Sequence, residues 1–142
     1  MSVSIKIKKL HPDAVVPHHA HTGDAGMDLF STQTIILHPG ERVQIPTGIA
    51  VELPYDYVAL IWDKSGLSHT HGLKTLGGVI DSGYRGEYMV GMINLGPIDY
   101  IIEKGHKVAQ ILIQKIEHPH IEVVEELSES SRGKRSFGST GK

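Results

Sequence analysis

The residues best equipped for chemistry lie between Gly77 and Tyr88. The stretch Gly77-Gly78-Val79-Ile80-Asp81-Ser82-Gly83-Tyr84-Arg85-Gly86-Glu87-Tyr88 holds a central carboxylate, a ring at a turn and main chain left bare by glycine. Bare backbone N–H and C=O groups suit close approach of a flat ligand such as a nucleobase. Asp81 beside that backbone has the chemistry of a general base, and Tyr84 offers a ring against which a sugar can stack. Apolar alternation resumes after Glu87, so the spacing predicts a β-hairpin with a glycine-containing loop. The same content also describes a plain turn whose Asp caps its own backbone.

Four other places carry polar groups that need an explanation. Asp28 stands between Met27 and Leu29 in an apparent strand, and an inward carboxylate there must find a partner or a metal-bound water. Lys64-Ser65-Gly66 sits in the longest polar interruption, Asp63 to Gly72, which reads as a loop. It becomes an anion cradle if a short helical turn starts there with Ser65 as its N-cap. Gln110 interrupts the most apolar stretch, Gly105 to Ile116, and a buried amide needs a specific partner. Beyond Glu125 the chain turns to Ser, Glu, Gly, Lys and Arg, too polar for a core of its own and mobile when free. Within it, Arg132 and Phe137-Gly138-Ser139 have the content of a phosphate-covering lid with one aromatic ring to stack on a base.

The elements that must position these groups are strands. Val3 to Ile7 alternates with polar residues, and short strands are expected at 34–38, 42–45, 49–53 and 57–62, broken by Pro39-Gly40, Pro46-Thr47-Gly48 and Pro54. Further strands are expected at 89–95, 100–103 and 105–116, with 121–124 closing the fold. No segment holds ten residues of helical periodicity. The chain therefore reads as all-β, a jelly roll, sandwich or barrel over residues 1–127, followed by a flexible segment at 128–142.

Composition removes several classes of function. A net charge of −2 gives no basic field for stable nucleic-acid binding. The absence of cysteine excludes disulfides and thiolate metal sites. No apolar run approaches the roughly 20 residues of a membrane span, and the first ten residues lack an apolar signal core. A soluble, cytoplasmic protein is expected. Among ten histidines, His18, His19 and His21 crowd one loop, where a metal site is conceivable but no distal ligand is evident.

Five stretches in this order resemble the trimeric dUTP pyrophosphatase (dUTPase) family. They are Asp24-Ala25-Gly26-Met27-Asp28-Leu29-Phe30-Ser31, Lys64-Ser65-Gly66-Leu67, Gly78 to Gly86, Gly105 to Gln110, and Arg132-Gly133 with Phe137-Gly138-Ser139-Thr140-Gly141. The resemblance implies a jelly-roll homotrimer with sites at subunit interfaces that cleaves dUTP to dUMP and pyrophosphate with Mg²⁺. It implies that Gly78, Val79, Ile80 and Met89 hold uracil through main chain, that Asp81 activates water, and that Tyr84 packs on deoxyribose. It further implies that Asp28 holds a water of the Mg²⁺ shell and that Lys64, Ser65, Gly66 and Gln110 meet phosphates from another subunit. The tail closes with Phe137 on uracil, Arg132 on the γ-phosphate, and Gly138 and Ser139 over the phosphates. Three positions depart from the family pattern: Lys64 where Arg is frequent, His106 where Asp is common, and Lys134-Arg135-Ser136 in a usually glycine-rich segment. The rival readings are a dCTP deaminase on the same fold, for which Glu87 is the nearest glutamate, and a non-catalytic nucleotide-sensing regulator.

Overall fold

The computed structural model describes residues 2–141. Among them the chain forms β1 (Lys6–Lys9), β2 (Met27–Phe30), β3 (Ile35–Leu37), β4 (Arg42–Pro46), β5 (Ile49–Glu52) and β6 (Tyr57–Trp62). A short helix, α1 (Ser65–His71), is followed by β7 (Leu73–Leu76), β8 (Val79–Ile80), β9 (Met89–Asn94), β10 (Tyr100–Ile102) and β11 (Lys107–Lys115). Every strand pair is antiparallel, in sheets ordered β2-β11-β6-β8, β4-β9-β7, β1-β5 and β10-β3. This is the all-β, jelly-roll-like architecture expected from short strands punctuated by Gly and Pro.

Alternating side chains from these sheets meet in one core that includes Leu29, Leu37, Ile45, Ile49, Leu73, Tyr88, Val90, Met92, Ile102 and Ile111. A large side chain buried there contributes about 1.5–3 kcal/mol over leaving it exposed. Tyr88 is fully buried, yet its hydroxyl has no hydrogen-bond partner among the described residues, and burial pushes the phenol up to about 12. An orphaned buried hydroxyl is a liability of about 1–3 kcal/mol. Tyr88→Phe is therefore expected to raise Tm or leave it unchanged in a thermal melt. A fall of several degrees would mean that the hydroxyl is satisfied in the assembled protein.

Four expectations need correction. The stretch around Asp81 is not a hairpin: β8 pairs with β6 and β9 with β4 and β7, so residues 81–88 cross between two sheets. Gly78 makes the turn into β8 at φ +110°, where an added Cβ would meet the Ile61 carbonyl at 2.7 Å. Tyr88 then anchors the far end of the crossing, its N–H donating to Ile49 O at 2.8 Å and its carbonyl accepting from Thr47 Oγ1. The polar stretch after Trp62 is a helix rather than a loop, and its N-cap is Lys64, not Ser65, with no side-chain cap bond. Half-buried Leu67 packs that helix on the core, which polar content alone concealed. Residues 121–124 form no strand, because their apolar alternation, entered through Pro119, finds no neighbouring strand in this chain. Finally, β1 begins only at Lys6, and β7 was not foreseen at all.

Candidate active site

The four-stranded sheet assembles one half of the site through its register. On the central strand β11, Gln110 lies opposite Asp28 of β2 on one side and Trp62 of β6 on the other. The chain leaves β6 at Trp62 and runs directly through Asp63 into α1, so Lys64, Ser65 and Gly66 arrive beside the same strand ends. A pocket of about 290 Å³ results, lined by Asp28, Lys64, Ser65, Gly66 and Gln110 together with Asp24 and Gly26.

Asp28 forms the charged floor of this pocket and is 3% exposed. Lys64 Nζ donates to Oδ1 at 2.5 Å, and Lys107 Nζ lies 2.9 Å from Oδ2, a Coulombic contact outside hydrogen-bonding geometry. Burial pushes the Asp28 carboxyl up, but the two ammonium groups outweigh it and hold the pKa below the ordinary carboxylate value. Two lysines here stand against two carboxylates, Asp28 and Asp24, so the formal charges balance, and the groups able to meet an anion are Lys64, the main-chain amides of Ser65 and Gly66 and the Gln110 side chain. Nearby, Asp63 is held by β7: its Oδ1 accepts from the Thr75 N–H at 2.7 Å and from Thr75 Oγ1 at 2.8 Å, and Lys74 Nζ sits 2.6 Å from Oδ2. Its burial again works against ionisation, and Lys74 and Thr75 again prevail, so its pKa is lowered.

A second pocket, of about 330 Å³, lies at the opposite edge of that sheet, where β8 meets the crossing segment. Val79, Ile80, Asp81, Tyr84 and Met89 line it with Gln44 and Glu87. Asp81 is exposed and opens a turn closed by the Tyr84 N–H on its carbonyl at 3.1 Å. The Tyr84 ring is pinned by its hydroxyl donating to Glu87 O at 3.1 Å, lying so close over Gly86 that a Cβ there would meet the hydroxyl at 2.4 Å. Glu87 accepts from the Gly48 N–H at 2.7 Å and so fastens the segment to the turn after β4. A slot of mixed polarity with a rigid ring, exposed main chain and one uncommitted carboxylate suits a planar base, its sugar and a water nucleophile.

The remaining expected residues lie apart from both pockets. Gly78 sits just outside the second, its carbonyl accepting from the Ile61 N–H at 2.7 Å. In the tail, Arg132 bonds to the carbonyls of Arg135 and Ser136, while Phe137 is fully exposed; Gly138 and Ser139 lie in local turns. Of three residues that sequence reasoning did not single out, Gln44 lines the second pocket, while Lys107 and Asp63 stand beside the first and contact its lining residues. Lys107, next to His106 in the fourth stretch, was findable as a cation close to Gln110, whereas Gln44 arrives by strand pairing that no local pattern announces and Asp63 is held by β7, a strand not foreseen. His106 pairs with Glu103 at 3.1 Å, away from either pocket. His18 stacks on Phe30 and His19 Nδ1 contacts Gly26 O at 3.2 Å. Among the described residues no three His, Asp or Glu side chains are grouped to hold a metal ion.

Comparisons with known proteins fit this geometry. A family model described as dUTPase matches residues 13–141. The deoxyuridine 5'-triphosphate nucleotidohydrolase of Clostridioides difficile is 47% identical over 140 residues, covering 97% of this chain and 98% of the relative. That of Clostridium tetani is 50% identical over 141 residues, covering 98% and 97%. Among solved structures, the Staphylococcus bacteriophage 80alpha dUTPase with dUPNHPP matches with a TM-score of 0.92 at 33% identity, covering 97% of this chain and 98% of the phage chain. A dUTPase variant from phage phi11 of S. aureus, which coordinates a structural Mg(II) ion, matches at 0.81 and 31% identity, covering 87% and 97%. With a family model spanning nearly its whole length and relatives this similar, the chain belongs to the dUTPase family.

Proposed function

We propose that this protein hydrolyses dUTP to dUMP and pyrophosphate, by attack of water on the α-phosphate, at sites shared between three copies of the chain. The observation that carries the reading is the division of labour between the pockets. One gathers cations and amides suited to phosphates; the other gathers the ring, the bare main chain and the free carboxylate. Each lies near the lower bound for a small-molecule site of roughly 300 Å³. They share no residue, so base and phosphates are served by separate parts of the surface.

In this scheme Val79, Ile80 and Met89, with Gly78 beside them, present main chain to uracil, and a rigid backbone slot rejects the extra methyl of thymine by clash. Tyr84 packs on the deoxyribose. Asp81 accepts a proton from the attacking water at its carboxylate. From a neighbouring copy, Lys64, Ser65, Gly66 and Gln110 hold phosphate oxygens. The tail closes with Phe137 over the base, Arg132 on the terminal phosphate, and Gly138 and Ser139 along the chain of phosphates. A hydrated Mg²⁺ would be held at the floor of this pocket through a water donating to Asp28 Oδ2, in place of the Lys107 ammonium group 2.9 Å from that oxygen. When bound, the ion neutralises charge on the phosphate oxygens. Deamination of dCTP is disfavoured because Glu87 is already tied to the Gly48 N–H and is not free to act on a ring.

Pyrophosphate release from a panel of dNTPs and UTP with Mg²⁺ tests the activity, with dUTP expected as the preferred substrate. Ammonia from dCTP without pyrophosphate from dUTP would overturn it. On the same panel, Tyr84→Ala is expected to narrow the dUTP/UTP ratio of kcat/KM, because the ring leaves no room for a 2′-hydroxyl. An unchanged ratio would place sugar discrimination elsewhere.

Trimerisation is supported by the apolar side chains of 121–127, which this chain leaves uncovered: Ile121 is 81% exposed, Val123 94% and Leu127 89%. Light scattering should give three chains per particle. When Asp81→Asn and Gln110→Ala chains are unfolded and refolded together, intact sites should form between unlike copies, recovering roughly a quarter of parental activity in a random mixture. Activity no greater than the sum of the separate variants would exclude a site shared in this way.

A further inference from the structure

Asp63 touches neither pocket's open space, yet three features of the phosphate pocket depend on it. Its carboxylate takes the Thr75 N–H and hydroxyl from β7, closing a 12-residue loop that contains all of α1. This staple fixes where the chain leaves β6 and therefore where Lys64, the next residue and the helix N-cap, must stand. Its main-chain carbonyl accepts from Gln110 Nε2 at 2.9 Å. An amide nitrogen carries two N–H groups, so committing one to Asp63 orients the other toward the pocket. The third feature is charge: a carboxylate one residue before a phosphate cradle would repel its ligand, and Lys74 at 2.6 Å cancels it.

We propose that Asp63 is the positioning residue of the phosphate cradle, setting Lys64 and Gln110 through the Thr75 staple while Lys74 masks its charge. The effect falls on phosphate recognition and spares recognition of base and sugar, because Val79 and Ile80 lie on β8 at the opposite edge of the sheet, with Tyr84 in the crossing segment and Met89 on β9 beyond it. This inference rests on the dUTP reading above.

The test measures binding of dUpNHpp and of dUMP, each with Mg²⁺, to the full chain and its variants. Asp63→Ala should weaken dUpNHpp about tenfold and dUMP by no more than about twofold. Asp63→Asn keeps an acceptor for Thr75 and should recover most of that loss. Lys74→Met leaves the staple but unmasks the carboxylate, so dUpNHpp should weaken, and more so at low ionic strength. The double variant Asp63→Asn with Lys74→Met should return toward the parent, since no bare charge remains. Should Asp63→Ala fail to fold, the Lys74→Met and double variants decide the matter alone. Equal weakening of dUpNHpp and dUMP, or a Lys74→Met variant indistinguishable from the parent, overturns the proposal. A parent protein that binds neither nucleotide overturns the dUTP reading itself, which separates the two failures.

Discussion

Asp81→Asn should lower kcat about 10²–10⁴-fold and leave dUpNHpp binding within a few-fold of the parent. The substitution preserves size and removes the ability to accept a proton. Its selectivity follows from the surroundings of this carboxylate. Among the described residues Asp81 has no side-chain partner, and the turn it opens is closed by its backbone carbonyl, which the variant retains. Stability should therefore be unaffected, and a thermal melt checks this directly. Single-turnover kinetics separate chemistry from product release. A kcat within a few-fold of the parent would remove Asp81 from the role of base. Asp28, the other carboxylate near a pocket, is a poor substitute, since two lysines stabilise its charged form and lower its basicity.

Deletion of everything after Ser131 should abolish most of kcat/KM while leaving the fold and assembly intact. The removed residues contribute no core side chain: those described are exposed, and their hydrogen bonds run among themselves or to the adjoining Ser130 and Ser131, which are exposed too. Circular dichroism and light scattering should thus match the parent. Activity should fall because, on the proposed reading, the segment would supply a ring for the base, a guanidinium for the phosphates and exclusion of water, all lost together. Ordering such a segment is unfavourable entropically and must be offset by contacts with the complete substrate. Nicking by trypsin between Arg132 and Arg135 should accordingly slow in the presence of dUpNHpp with Mg²⁺ and much less with dUMP. Parental activity in the truncated protein would make the tail a bystander.

The strand skeleton was legible because its punctuation is local. Pro39-Gly40, Pro46-Thr47-Gly48 and Pro54 bracket β4, β5 and β6 to within a residue or two. Asp28 was legible as an inward carboxylate in need of partners, and it has two lysines. What escaped was set by pairing at long range. The glycine-rich stretch alternates like a hairpin, but β8 is taken by Ala59 and Leu60 of β6 before it can fold back on β9. The helix after Trp62 escaped because Ser, His and Thr dominate its seven residues and only Leu67 faces the core. Gln44 joins the second pocket through the pairing of β4 with β9, and nothing beside it in sequence marks it; Asp63 borders the foreseen Lys64, but its contacts are to Thr75 and Lys74 of β7, a strand not foreseen. The segment 121–124 was misjudged for a different reason, as its alternation is genuine and lacks a companion within the chain.

The pairing of Lys64 with Asp28 also bears on turnover. Any phosphate oxygen that reaches this ammonium group displaces a carboxylate already seated 2.5 Å away. Lys64 is therefore not a bare cation awaiting an anion but half of a closed pair that must be opened. Once the phosphate bond is cleaved, the same carboxylate stands ready to reclaim the lysine and compete with pyrophosphate for it. On the proposed reading, affinity given up on entry would return as ease of departure, and the built-in rival would keep the pocket from being held by its own product.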